Sequence, residues 1–550
     1  MTSTSKSADI THEVTNQPPP PADCNAWSAD ALLRATVARE GGGWIDIEAR
    51  SLGGFVGSER LRTLAEQANL YVPELKTHDR FGHRIDRIEF HPAYHELMGQ
   101  VFGAGLHSLA WTSERPGRFT ARAALFYLWN QGECGTACPV TMTFAAVQVL
   151  RSEPTLAAAW EAKLTACDYD ARHLPVADKT AATAGMAMTE KQGGSDLRTN
   201  TTQAVANGDG SHTLTGHKWF CSAPMSDVFL ALARTDAGVT CFLVPRILPD
   251  GASNNMRLQR LKDKLGNRSN ASGEIEFQQS LAQRIGQEGR GIATLIEMAH
   301  HTRFDIVVGV AGMMRAALNL ALHHTRHRQA FGRVLIEQPL MQNVLADLAL
   351  EMEAATLLAF RLARAFDHMH TDAHERLMTR LITPIAKYWL CKRLTWFVTE
   401  AMECHGGNGY VEENPIARLY REAPLNGIWE GSGNVICLDV LRALNKEPGA
   451  REALMREMKP AAESEPRLRV WLDAIAAQLS DTHNIEARAR IITEQLALAL
   501  QAALMIQHAS PAAADAFCAT RLAGQGGCMF GTLPHGVACA ELVARVRLLD

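Results

Sequence analysis

Apolar residues recur at helical spacing over most of this chain, and strand-like alternation interrupts them once. Residues 1–30 are polar and Pro-rich and read as an extended arm. Residues 31–184 read as a helical domain. Helix-like spacing runs over Ser58–Ala68, Pro92–Ala104, Ala121–Gln131 and Thr141–Arg151, and turns such as Gly41-Gly42-Gly43 separate the segments. Residues 185–290 change character. Thr199–Ala206, the turn Asn207-Gly208-Asp209-Gly210, His212–Thr215 and Trp219–Cys221 read as a hairpin leading into another strand. Val228–Arg234 and Val239–Val244 read as a second hairpin. Helices return over residues 291–445. Ile306–His327, Leu340–Phe366, Met378–Met402 and Val435–Leu444 carry apolar stripes, which predicts a bundle. Residues 446–550 are also mainly helical, with apolar runs at Val470–Leu479 and Ile491–Ile506. The fold class expected is mainly α with a central β domain.

Composition narrows the function classes. A chain of 550 residues is too long for one core. With 47% hydrophobic and 21% charged residues it is a folded globular protein. A net charge of −4 gives no global attraction to nucleic acid or anionic membrane. The 12 cysteines are scattered, and Cys134 with Cys138 fit neither a redox pair nor a zinc site, so reduced thiols in a cytoplasmic protein are expected. The N-terminus has no apolar signal region, and no apolar run approaches the ~18 residues of a membrane span.

Five stretches carry candidate chemistry. In Ile428-Trp429-Glu430-Gly431-Ser432-Gly433-Asn434 a lone carboxylate sits on a glycine-permitted loop before an apolar-periodic helix, with Asn434 as candidate N-cap. A carboxylate so placed can act as a base. In Met188-Thr189-Glu190-Lys191-Gln192-Gly193-Gly194-Ser195, backbone amides and hydroxyls can bond a flavin edge, and Ser195 can reach a phosphate. Trp219-Phe220-Cys221-Ser222 sets aromatic rings beside hydroxyl and thiol groups, although an aromatic pair on a strand is more often core packing. Arg328, with Phe331 and Gln338 after it, ends a helix where a guanidinium fork can pair with a pyrophosphate. Gly406-Gly407-Asn408-Gly409-Tyr410 lacks dinucleotide-fingerprint spacing but lets a backbone approach phosphates. His323 and His327 have metal-like spacing without a supporting third ligand, and no metal is expected.

Taken in order, these stretches resemble the acyl-CoA dehydrogenase superfamily, over about residues 30–445. Lys262–Ser272, Cys138–Ala146, the Asn16-Gln17-Pro18 arm and the C-terminal extension narrow the resemblance to its AidB subfamily. The resemblance implies an FAD-containing homotetramer of the adaptive response to DNA alkylation, with a C-terminal region that binds double-stranded DNA. It implies FAD contacts at Met188, Thr189 and Ser195, at Phe220, Cys221 and Ser222, and from Trp429 through Gly431, Ser432, Gly433 and Asn434. It makes Glu430 the catalytic base. Some members carry the base just before an Arg of the first bundle helix; here that position, ahead of Arg303, is Thr302. Arg442 matches an arginine implicated in DNA contact. Arg451, Arg456, Arg467, Arg469, Arg488 and Arg490 would have to join it on one face, because the tail is not net basic. Two readings stand. One is an AidB-like flavoprotein that binds DNA and retains weak or residual dehydrogenase activity. The other is a metabolic acyl-CoA dehydrogenase, whose substrate pocket Trp429 would narrow.

Overall fold

A computed structural model describes residues 11–546; the first ten residues of the expected arm and the last four of the tail lie outside it. The N-terminal region is helical as expected. Ser58 caps the helix Glu59–Leu70 by accepting from Leu61 N, and Pro92 opens the helix Pro92–Gly103. The expectation of an all-helical region fails at one place. Glu74–His78 pairs antiparallel with Arg84–Glu89, a ribbon whose half-exposed alternation the helix reading passed over.

The β domain contains seven strands: β1 (Ala184–Ala187), β2 (Gln203–Ala206), β3 (His212–Ser222), β4 (Val228–Thr235), β5 (Gly238–Pro245), β6 (Met256–Leu261) and β7 (Ser272–Ile285). Their order is β1-β4-β2-β3-β7-β5, with β6 on β7. β5 also pairs with β4, which closes the sheet on itself. Both expected hairpins form, β2–β3 and β4–β5. The two pieces expected at His212–Thr215 and Trp219–Cys221 are one strand. Its register shifts between Lys218 and Cys221, and such a bulge re-aims the side chains it carries.

The bundle helices are Gly291–His327, Pro339–His368, Ala373–Glu403 and Gly433–Lys446. The first begins 15 residues before the apolar stripe that announced it. Gly291–His327 is long and apolar enough to cross a membrane, contrary to the run-length expectation, and so is Ile485–His508. Both are core helices: 83% and 72% of their most apolar windows are buried inside the protein.

The N-terminal region, the bundle and one side of the β sheet share a core, while the rest of the β domain, including Leu214, Phe229, Phe242 and Phe277, packs a second. Arg122, fully buried in the N-terminal region, forks onto Asp305 of the first bundle helix with Nη2–Oδ2 at 2.8 Å, and Thr141 donates to the same carboxylate at 2.7 Å. The C-terminal helices join this core as well. Ala489–His508 packs on the second, third and fourth bundle helices. Arg521 bridges Asp347 and Glu351, and Arg361 bridges Glu375 and Glu457. All 12 cysteines are free thiols.

Candidate functional site

The loop from Trp429 to Ser432 enters the helix Gly433–Lys446 through two left-handed residues, Glu430 at φ 55° and Gly431 at φ 109°. Glycine adopts this region freely, but a glutamate there costs about 1–2 kcal/mol. Side chains from two other helices hold the strained turn. Lys387, buried on the third bundle helix, donates to Trp429 O at 2.8 Å and to Gly431 O at 2.6 Å. Arg303 Nε donates to Glu430 O at 2.9 Å. Arg303 is itself anchored on Asp439, which also takes Arg380 at 2.8 Å. The expected cap at Asn434 does not form. Ser432 occupies the cap position without a side-chain cap bond, and Asn434 accepts from Arg490 Nε at 2.8 Å.

The Glu430 carboxylate accepts from Thr302 Oγ1 at 2.8 Å. Burial pushes its pKa above the ordinary glutamate value, while the Thr302 bond and the charges of Arg303 and Lys387 pull the other way. Its field reaches Cys138, whose thiol burial pushes up to about 11 and which bonds Ser222 and Asn270. Lys264, held down to about 8 by burial, donates to Asn270 O at 2.6 Å and to Ser272 Oγ at 3.0 Å. The end of β3, the start of β7, the Lys262–Ser272 segment and the helix Ala137–Leu150 therefore converge around Cys138, within reach of the Glu430 charge.

On the β domain, Thr189 O accepts from Trp219 N at 2.8 Å, and the Thr189 side chain fills the space beside Gly194. Met188 O accepts from Asn200, and Ser195 stands exposed on the same loop. Glu190 is structural. It pairs with Lys218 at 2.8 Å, both side chains fully buried, and accepts from Thr201 and Thr202. Trp219 carries the Lys262 ammonium over its ring, 3.3 Å from the centroid, so a cation already covers one face. Phe220 is exposed, Cys221 is buried and Ser222 half-buried.

The remaining dinucleotide candidates are elsewhere. Thr302 is near the start of the first bundle helix and Arg328 caps its far end, so the two are about 39 Å apart along the axis. Arg328 donates to Asn16 O at 2.6 Å, Gln338 to Ala330 O at 2.9 Å, and Phe331 is 99% exposed at φ 53°. Gly406 and Gly407 present backbone on which an added Cβ would meet nothing within 4 Å. A flavin ring and its phosphates are joined by a five-carbon chain that reaches roughly 7 Å. Within a single chain, then, Arg328 cannot serve a ring lying at Glu430.

The arginines expected to meet DNA, Arg442 of the last bundle helix and six of the tail, divide. Arg451 donates to Leu444 O and Leu479 O, Arg467 pairs with Glu465 and Asp515, and Arg488 binds the carbonyls of Gln478, Asp481 and His483. Arg442, Arg456, Arg469 and Arg490 are exposed. His323 Nε2 lies 2.7 Å from Pro19 O, and His327 Nδ1 lies 2.8 Å from His323 O. Sequence reading missed Lys387, and quoted Lys264 only within the Lys262–Ser272 stretch, with no role of its own. A lone lysine in an amphipathic helix or loop signals nothing until the fold shows it buried.

A family model described as the adaptive response protein AidB N-terminal domain matches residues 16–171. The acyl-CoA dehydrogenase middle domain matches 185–280 and the C-terminal domain 289–445. The chain is 47% identical over 521 residues to the putative acyl-CoA dehydrogenase AidB of Escherichia coli K12, covering 94% of this chain and 95% of that one. That alignment takes in most of the C-terminal helices, which the three family models leave out. Acyl-CoA dehydrogenase family member 11 of Caenorhabditis elegans is 31% identical over 81% of this chain and 78% of its own. The crystal structure of C. elegans ACDH-11 in complex with C11-CoA superimposes with a TM-score of 0.85 at 28% identity, over 95% of both chains.

Proposed function

The chain belongs to the acyl-CoA dehydrogenase family, and on that basis we propose that it is an AidB-like, FAD-dependent oxidoreductase of the cytoplasm with Glu430 as its base. The observation that carries this reading is the Glu430 carboxylate, fixed in a left-handed turn and bonded to Thr302. The residues fit the cofactor. Trp429 Nε1 is a buried indole donor with no partner among the described residues, and an acceptor on a flavin edge would satisfy it. Thr189, Ser222 and the open Gly406–Gly407 backbone supply further contacts of the kind a dinucleotide needs.

When bound, FAD supplies a two-electron acceptor for hydride from the β-carbon of an acyl thioester. The protein's part is the proton: Glu430 Oε2 takes it from the α-carbon. Thr302 steers the carboxylate, while Lys387 and Arg303 keep its loop from relaxing. Because Arg328, Phe331, Gln338, Gly406 and Gly407 lie far from Glu430, the diphosphate half of each cofactor would be held by a second copy of the chain, as in a homotetramer. Glu430→Gln tests the assignment. It should lower acyl-CoA oxidation, followed with an artificial electron acceptor, by on the order of 10²–10⁴-fold while the protein stays yellow. Unchanged turnover would remove Glu430 from the reaction.

The likeness to AidB across the C-terminal helices favours a second role, in the adaptive response to DNA alkylation, through non-specific binding of double-stranded DNA. On this reading the dehydrogenase centre has weak or residual activity, and Arg442 and Arg469 are the side chains most available for phosphates, while Arg456 and Arg490 spend one donor each on His374 and Asn434. A salt titration of duplex binding tests it; absence of binding at low salt would leave the metabolic acyl-CoA dehydrogenase.

A further inference from the structure

The N-terminal arm makes its most specific contacts with the two segments assigned above to the cofactor's diphosphate half. Asn16, itself left-handed at φ 58°, pairs with Gln329 in both directions: its Nδ2 donates to Gln329 O at 2.9 Å, and its Oδ1 accepts from Gln329 N at 2.7 Å. Its carbonyl accepts from Arg328 Nη1 at 2.6 Å. The next residue reaches the other segment, where Gln17 Oε1 accepts from Asn408 Nδ2 at 3.2 Å, inside the Gly406–Tyr410 turn. Beyond it, Pro19 O meets His323 and Pro21 O accepts from Arg62, so the arm is anchored past these contacts.

We propose that Asn16 and Gln17 are positioning residues for dinucleotide binding: they clamp the Arg328 corner to the glycine turn and preset both for a diphosphate. This rests on the flavin reading above. A long arginine loses most of its freedom when it binds an anion, and a contact that immobilises it beforehand removes that cost from the binding step. Asn16 holds one Nη1 donor and the backbone behind it, which leaves the other face of the fork to a ligand. Among the described residues, the arm bonds neither the Glu430 loop nor Thr189 nor Ser222, so its effect is confined to the diphosphate half.

Flavin chemistry allows that confinement to be measured, since FMN has the ring and one phosphate but lacks the second phosphate and the adenosine. The full-length apoprotein would be titrated with FAD and with FMN, wild type against Asn16→Gly/Gln17→Ala, following quenching of flavin fluorescence. Glycine keeps the left-handed turn while removing the side-chain pairing. The expected result is FAD affinity reduced about tenfold or more with FMN affinity unchanged. Equal losses for both flavins, or none for either, would overturn the proposal. Should the double variant misfold, Gln17→Ala alone, which removes one exposed contact, should show the same selectivity in smaller measure, and its failure to do so counts against the arm. A wild-type protein that takes up neither flavin would instead overturn the flavin reading, and this inference with it.

Discussion

Thr302 Oγ1 donates a 2.8 Å hydrogen bond to Glu430 Oε2 across 128 residues of sequence. The residue in the position where the resemblance puts the base of some family members thus orients the carboxylate proposed as the base of this chain. The bond favours the ionised carboxylate and opposes the burial that raises its pKa. Removing it should raise that pKa further. Thr302→Ala should therefore shift the acid limb of the kcat/KM profile to higher pH, with turnover recovering at alkaline pH, and Thr302→Ser should restore the original limb. An unmoved limb would mean that the hydroxyl does not govern the ionisation that matters.

Lys387 is the second prediction. Its ammonium holds the carbonyls on either side of Glu430. Lys387→Met keeps the unbranched apolar stem, one atom shorter, and leaves two carbonyls without their donor, at about 1–3 kcal/mol each where they stay buried. The strained Glu430 then has less to oppose relaxation. Lower thermal stability together with weaker flavin retention is expected. A variant that melts as wild type and retains flavin would show that Arg303 alone suffices to hold the loop.

These two contacts mark where sequence reading stops. The bundle, the hairpins and the Glu430 loop are legible because they are local: periodicity, a turn sequence, a glycine beside a carboxylate. Thr302 shows in the sequence only as a missing base. Its bond to Glu430 depends on how the first bundle helix packs against a loop far along the chain. Asn434 looks like a cap because its residue type suits one, but Arg490 from the tail claims its side chain. Arg328 and Glu430 look like parts of one site because their motifs are read together. A helix of 37 residues keeps them apart, and only its length could have revealed it.

The tail's integration gives the third prediction. Asp347, Glu351 and Arg361 are buried on the second bundle helix and find counter-charges on Arg521 and Glu457 of the tail. Cutting the chain after residue 445 would strand Asp347, leave Glu351 with Arg393 alone and Arg361 with Glu375 alone, and uncover the apolar face that Ala489–His508 covers. Breaking a buried ion pair costs about 3–5 kcal/mol. The truncated chain should be insoluble or melt well below the full-length protein. If it stays soluble with an unchanged melting temperature, the tail is an independent unit.

DNA binding must therefore be probed in the intact chain, and its arginines give two sets with opposite expectations. Arg451, Arg467 and Arg488 commit their donors to carbonyls and carboxylates of the protein, so replacing them should lower stability more than it weakens DNA affinity. Arg442, with a loose 3.5 Å contact to Asp439, and exposed Arg469 retain donors for phosphate. Removing an arginine that neutralises one phosphate should flatten the slope of log K against log salt by about 0.9. Arg442→Gln and Arg469→Gln should each produce that change with the melting temperature unaltered, and the double variant roughly twice it. Weakening of the same size from the Arg451 or Arg488 variants, at unchanged stability, would place the DNA on a different face of the tail.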